Sequence, residues 1–300
     1  MGSTYMQFAI IILLTGQLTN GHHWGYSKEE QAKWKEQFKS CGGLRQSPIN
    51  IHKAIGKRMR ALKLRNYRDP LPGPLMLHNN GHTVALEIAH PPRNQSVPYV
   101  VGGLLTKTYK FESLHFHWGE RSDLGSEHTF SGKRYPMEMH MVHRNKNYPT
   151  MEEAMKHADG LTVLAFFYKL HEDNNKQLDQ LVKHLPSVYV PHANITLTET
   201  FALTSLIPSR ENMRRYYIYK GSLTTPPCSE AVTWIVFPSA MPVSEVQLNK
   251  FRSMFGHDSH TKLTNNFRHV QKTGRRKVFV RIPRRRSSEK KQIMEPSEPV

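Results

Sequence analysis

The chain has 300 residues, 18 of them histidine, and a net charge of +18 with those histidines neutral. That length suffices for one large domain or two modest ones, and no repeat of 20–50 residues points to a solenoid. Nothing in it is long and apolar enough for a bilayer-spanning helix, which takes roughly 20 residues, or for a lipid-anchor signal.

In chain order, residues 6–14 (Met-Gln-Phe-Ala-Ile-Ile-Ile-Leu-Leu) form an apolar run too short to span a membrane. With the Thr, Gly, Gln and Asn that follow, it reads as a secretory signal peptide over residues 1–21, cut between Gly16 and Gly21. An N-myristoyl signal fails because position 6 is Met6, not Ser or Thr. The protein is therefore expected to be secreted and extracellular. Cys41 and Cys228 fit that compartment as a single disulfide; as free thiols they would suit a cytosolic protein, against which the N-terminal segment argues. Asn94-Gln95-Ser96 and Asn194-Ile195-Thr196 carry the glycosylation acceptor pattern at Asn94 and Asn194.

His22-His23-Trp24-Gly25-Tyr26 opens an irregular aromatic segment, and Gln46 to Ile51 is an extended, Pro-punctuated piece. Leu75 to Ile88, broken by Asn79-Asn80-Gly81, reads as a hairpin. Further strands are expected over Leu114–Gly119, Met137–His143, Leu161–Lys169, Arg215–Tyr219, Ala231–Phe237 and Lys277–Ile282. Three helices are expected: one capped by Thr150 and ending near Gly160, one over Lys176–Leu185, and one capped by Ser244 with Gln247 and running to about Met254. Strands outnumber helices without a regular βαβ alternation, which predicts a mainly β (α+β) domain with a mostly antiparallel sheet and peripheral helices. After Pro283, Arg284-Arg285-Arg286-Ser287-Ser288 begins a basic tail, residues 284–300, without a folding pattern.

Two of these strands carry chemistry. In Leu114-His115-Phe116-His117-Trp118-Gly119, side chains at i and i+2 leave one face, so His115 and His117 point the same way. His140, in Met137-Glu138-Met139-His140-Met141-Val142-His143, follows a turn-rich segment long enough to bring it back on a neighbouring antiparallel strand. Three neutral imidazoles and an open fourth position suit catalytic Zn2+, with Zn–N near about 2.0–2.1 Å. Imidazole also suits copper, iron or nickel, and an isolated His-x-His pair is equally at home on a His-rich polar strand. Glu138, two before His140 on the same face, can accept that ring's other N–H.

Together these stretches, with Gln46-Ser47-Pro48-Ile49-Asn50-Ile51, Asn79-Asn80-Gly81-His82, Gly125-Ser126-Glu127-His128-Thr129 and Gly221-Ser222-Leu223-Thr224-Thr225-Pro226-Pro227, resemble an α-class carbonic anhydrase over residues 22 to 283. The resemblance implies a large twisted sheet of about ten strands and a Zn2+ ion on His115, His117 and His140 at the base of a conical cavity. It implies reversible hydration of carbon dioxide to bicarbonate by attack of zinc-bound hydroxide. By the same resemblance, the Asn266 carbonyl supports His117, and Thr224 accepts from the nucleophile while donating to Glu127. Val142, Val163, Leu223, Thr225, Val232 and Trp234 form the substrate pocket, His82 is the proton shuttle, and Tyr26 and Asn80 order the connecting water. Cys41 and Cys228 match the disulfide of secreted members. Two positions depart from the family: Ser113 stands where a glutamine usually supports the first ligand, and Ala85 where a polar residue is common.

The alternative reading is a non-catalytic carbonic-anhydrase-like matrix or binding protein; such relatives lose a ligand histidine, and here all three are present. A metal-storage protein would hold several loose ions instead of one. The expected partners are carbon dioxide and bicarbonate, with no nucleic acid, no membrane span and a monomeric state; the basic tail is expected to contact acidic extracellular matrix.

Overall fold

The computed structural model describes residues 24–89 and 96–282. The expected signal peptide, Asn94 and the tail 284–300 lie outside the described residues.

The first helix among the described residues, α1 Lys28–Gln37, was not anticipated by the sequence reading. Ser27 and Glu30 form a reciprocal capping box at its start. Trp34 is its one buried side chain, so it lacks the apolar stripe by which a helix is usually recognised. Four short strands follow: β1 Asn50–Ile51, β2 Ile55–Arg58, β3 Leu62–Arg65 and β4 Leu75–Asn79. Next come β5 Val84–Ile88, β6 Tyr99–Gly102, the long β7 Leu105–Trp118, β8 Thr129–Phe130 and β9 Met137–Asn145. The second half holds α2 Met151–Met155, β10 Leu161–Leu170, α3 Lys176–Val182, β11 Asn194–Leu197, β12 Tyr217–Gly221, β13 Val232–Val243, α4 Glu245–Arg252 and β14 Phe279–Ile282.

Among the described residues, twelve strands form one sheet, ten of them in the order β11-β4-β5-β7-β9-β10-β13-β12-β14-β2, with β3 joined through β6 to β7. Its pairs are antiparallel except β10–β13 and β14–β2. The expected hairpin is β4–β5, turned at Asn80-Gly81, where Gly81 has φ +83°. Helix α2 is shorter than expected because the chain turns back after Met155: Gly160 lies so close to the Ala154 carbonyl that a Cβ there would meet it at 1.7 Å. Strand β13 runs past the expected Phe237. Pro238 removes a ladder donor, the register slips, and pairing resumes at Met241 opposite Tyr168.

The period of two divides the sheet into two faces. Leu114, Phe116 and Trp118 of β7 join Met137, Met139 and Met141 of β9 and Leu164, Phe166 and Tyr168 of β10 in the main core. The intervening residues face the other way, where Val142, Val163, Trp234 and Leu223 form a second apolar cluster. Fully burying each large side chain is worth about 1.5–3 kcal/mol, so slipping β7 by one residue would turn the main-core set outward and drive its histidines into the core. Cys41 and Cys228 are disulfide-bonded beside Trp24 and Trp34. Asn194 is exposed on the outermost strand β11.

Candidate metal centre

Across β7 and β9, His115 lies directly opposite His140 and His117 opposite Glu138. One donor atom from each of His115, His117 and His140 lies within 4.8 Å of the others. His117 donates its Nδ1–H to the Asn266 carbonyl at 2.7 Å, and His140 its Nε2–H to Glu138 Oε1 at 2.8 Å. Those bonds leave lone pairs on the inner nitrogens, His117 Nε2 and His140 Nδ1, which face each other at 3.1 Å. Two facing lone pairs repel unless a cation lies between them, so the donor set has the chemistry of a metal site. Burial holds His115 protonation well below its usual range, with His117 and His140 adding to the effect; burial likewise lowers His117. Metal binding needs that neutral form.

The electrostatics beneath the histidines point the same way. Glu127 is fully buried; its Oε1 accepts from the Arg268 backbone N–H at 2.8 Å, while Oε2 has no hydrogen-bond partner. That oxygen is 3.6 Å from His117 Nε2 and 3.9 Å from His140 Nδ1. An unpartnered buried carboxylate oxygen is costly, and a cation among the three rings would offset it. Glu138 is also fully buried. Burial favours its neutral form, but the hydrogen-bonded rings of His128 and His140 outweigh this and hold it well below the carboxylate range. It accepts from His128 Nδ1 at 2.7 Å and from the backbone N–H groups of Glu127 and His128, both at 2.8 Å. The Tyr219 hydroxyl donates on to His128 Nε2 at 2.7 Å, and Ser47 Oγ lies 2.9 Å behind it. His128 and Tyr219 carried no role in the sequence reading, since neither faces the cavity and their importance lies in holding Glu138.

The histidines open into a cavity of about 910 Å³, counting its mouth. One cross-strand row crosses its wall from acidic to apolar: Glu87 opposite Ser113, Ser113 opposite Val142, Val142 opposite Val163, and Val163 opposite Trp234. The next row is Ala85, His115, His140 and Ala165. Leu223, Thr224 and Thr225 line another side. Val232 is fully buried in the second apolar cluster and is not among the cavity-lining residues; it starts β13 opposite Gly221 and Leu161, behind Trp234. Thr224 reaches the cavity, but the expected donation to Glu127 Oε2 is not formed. Ser113 makes no hydrogen bond to His115 among the described residues, consistent with its short side chain.

At the mouth, the His82 ring stacks on Trp24, with centroids 3.7 Å apart and planes 6° apart, and His257 lies 5.9 Å beyond. Asn80 lines the cavity and also shapes this turn, its Oδ1 accepting from the N–H groups of His82 and Thr83 at 2.9 and 2.8 Å. Asn266 reaches it as well, donating Nδ2 to the His82 carbonyl at 3.0 Å. The Tyr26 hydroxyl is buried without a hydrogen-bond partner among the described residues, and burial, helped by Glu127, raises its pKa well above the usual value.

The carboxylates Glu87 and Glu112 on the polar wall were missed by the sequence reading. Burial pushes Glu87 up to about 7, and the Glu112 charge adds to it. Glu112 is itself raised by burial, against its ion pair with Arg144 at 2.7 Å.

The family model for eukaryotic-type carbonic anhydrases matches residues 29–282. Carbonic anhydrase 15 of Mus musculus is 37% identical over 281 residues, which span 90% of this chain and 86% of that protein. Carbonic anhydrase 7 of Homo sapiens is 36% identical over 259 residues (85% of this chain, 95% of that one), and human carbonic anhydrase 6 is 33% identical over 282 residues (91% and 88%).

Proposed function

The chain belongs to the eukaryotic-type carbonic anhydrase family, and from that membership we propose that it is a secreted, monomeric zinc enzyme that reversibly hydrates carbon dioxide to bicarbonate and a proton. The observation that carries this reading is the convergence of His115, His117 and His140, two of them fixed by Asn266 and Glu138 with their lone pairs inward. Zinc, when bound by these nitrogens, supplies a Lewis acid that makes water nucleophilic at neutral pH.

The chain's own residues do the rest. Val142, Val163 and Trp234, one row from the histidines, and Leu223 on another side of the cavity offer weakly solvated carbon dioxide an apolar surface. Thr224, by turning its hydroxyl to donate to the unpartnered Glu127 oxygen, accepts from the attacking water and aims its lone pair at the substrate carbon. Each hydration releases a proton, and His82, an imidazole at the cavity mouth, is suited to receive it near physiological pH. The partnerless Tyr26 hydroxyl and the Asn80 amide are suited to order the water that carries it there. The disulfide and the N-terminal apolar run support export, and the basic tail is assigned contact with acidic extracellular matrix.

Metal analysis of the purified protein tests the foundation. One zinc per chain is expected, lost in His117→Ala; several weakly held ions, or none, would overturn the reading.

A further inference from the structure

One end of the sheet carries a concentration of positive charge that the cavity does not use. Between Asn50 and Arg68 the chain has seven Lys or Arg and no Asp or Glu, and all seven are exposed. Strand β2 lies last in the sheet order and pairs in parallel with β14, setting Lys57 opposite Arg281. Like charges directly opposed on adjoining strands destabilise the pair. Little on this edge neutralises them: among the described residues, its one ion pair is Arg214 with Glu211, at 2.7 Å. Arg281 donates Nη1 to the Arg214 carbonyl at 2.6 Å, and its Nε is buried without a hydrogen-bond partner among the described residues. The Tyr216 hydroxyl donates to the Arg60 carbonyl at 3.2 Å, drawing the β2–β3 connection against the same edge.

A lone edge lysine is explained as protection against unwanted strand pairing. Cations facing one another across β2 and β14, and continuing through the β2–β3 connection, exceed that need. We propose that this edge, with Lys57, Arg58 and Arg60 exposed along it, Arg281 adding its charge from β14 and Lys63 following in sequence at the start of β3, binds a linear sulfated polysaccharide. Lys57 and Arg58, adjacent on an extended strand, leave opposite faces of the edge, so a polyanion lying along it meets cations on both sides, and the exposed Arg58 and Arg60 guanidinium groups match sulfate oxygens with paired donors. The Cys41–Cys228 disulfide belongs to oxidising, exported proteins, which meet sulfated glycans and not nucleic acid. The site is independent of the catalytic reading and of the tail, although Arg284-Arg285-Arg286 continues the charge in sequence.

The test uses immobilised heparin at graded salt with four proteins: the full chain, a deletion of 284–300, the edge variant Lys57→Glu/Arg58→Glu/Lys63→Glu, and a charge-matched control, Lys33→Glu/Lys35→Glu/Lys169→Glu. Thermal melting of each confirms folding, and single Arg58→Glu and Lys63→Glu variants replace the triple if it melts early. The expected result is salt-sensitive binding by the full chain and retained binding by the deletion. The edge variant should lose about tenfold or more in affinity, while the control stays near the parent. Loss of all binding with the tail alone, equal loss in edge variant and control, or tighter binding to duplex DNA than to heparin at the same salt would each overturn the proposal.

Discussion

Glu127 Oε2 lies 3.6 Å from His117 Nε2, fully buried and without a hydrogen-bond partner. A carboxylate held there by the Arg268 N–H has two effects: it offsets the charge of a cation among the histidines, and it offers Thr224 an acceptor. Glu127→Gln keeps the shape and removes the charge. Turnover should fall on the order of 10²-fold with zinc still bound, read by steady-state hydration rates beside metal content. Unchanged turnover would remove Glu127 from the mechanism.

Glu138 fixes the tautomer of His140. Glu138→Gln should weaken zinc binding by roughly 10–100-fold, measured by competition with a chromophoric chelator. The hydrogen bonds from His128 and two backbone N–H groups would then meet an amide they only partly suit, so a lower melting temperature is expected as well. Parental zinc affinity would contradict the assignment.

His82→Ala should lower turnover in weak buffer by about tenfold or more while sparing kcat/KM, because the shuttle acts after carbon dioxide has reacted. Added imidazole should restore the rate. A parallel fall in kcat/KM would mean that the ring instead shapes the cavity, through Trp24 and the Asn80 turn.

His143 supplies a pH-dependent stability term away from the metal ligands. Burial lowers its pKa from 6.5 to about 4, against hydrogen bonds to the Met141 and Thr162 backbone, and the Tyr67 hydroxyl donates to its Nε2. Between those values the unfolded chain binds the proton and the folded chain does not, so stability rises with pH. The contribution is full above about 6.5 and is lost as pH falls towards 4, amounting to roughly 3 kcal/mol. Urea midpoints for the parent and His143→Phe should diverge less as pH falls from 7 to 4.5; a constant difference would refute the term.

Replacing Cys41 and Cys228 by serine should cost about 2–5 kcal/mol of stability, read by denaturant unfolding. A loss below about 1 kcal/mol would mean that Trp24 and Trp34 hold this corner without the bridge.

What was legible in the sequence followed strand alternation. His115, His117 and His140 converge because a period of two and an antiparallel return require it, and the hairpin and the α4 cap were written in local residues. The support from Asn266 came only through resemblance, since a backbone carbonyl has no side-chain signature. Glu112 was not legible: strict alternation assigns it to the core face of Leu114, but a register shift between Phe111 and Ser113 gives β7 an extra residue and turns it into the cavity. Glu87 could have been found, because it shares the Ala85 face of β5 opposite Ser113. Helix α1 was signalled by Ser27 and Glu30 yet lacked an apolar face. The charged edge was visible as composition, but only the β2–β14 pairing brings Lys57 against Arg281.

The most direct test of the central claim is stopped-flow carbon dioxide hydration by the purified protein, before chelation, after it, and after zinc is restored. The zinc-enzyme assignment requires catalysis that disappears with the metal and returns with zinc. A protein that holds one zinc on His115, His117 and His140 yet hydrates carbon dioxide no faster than buffer would contradict it.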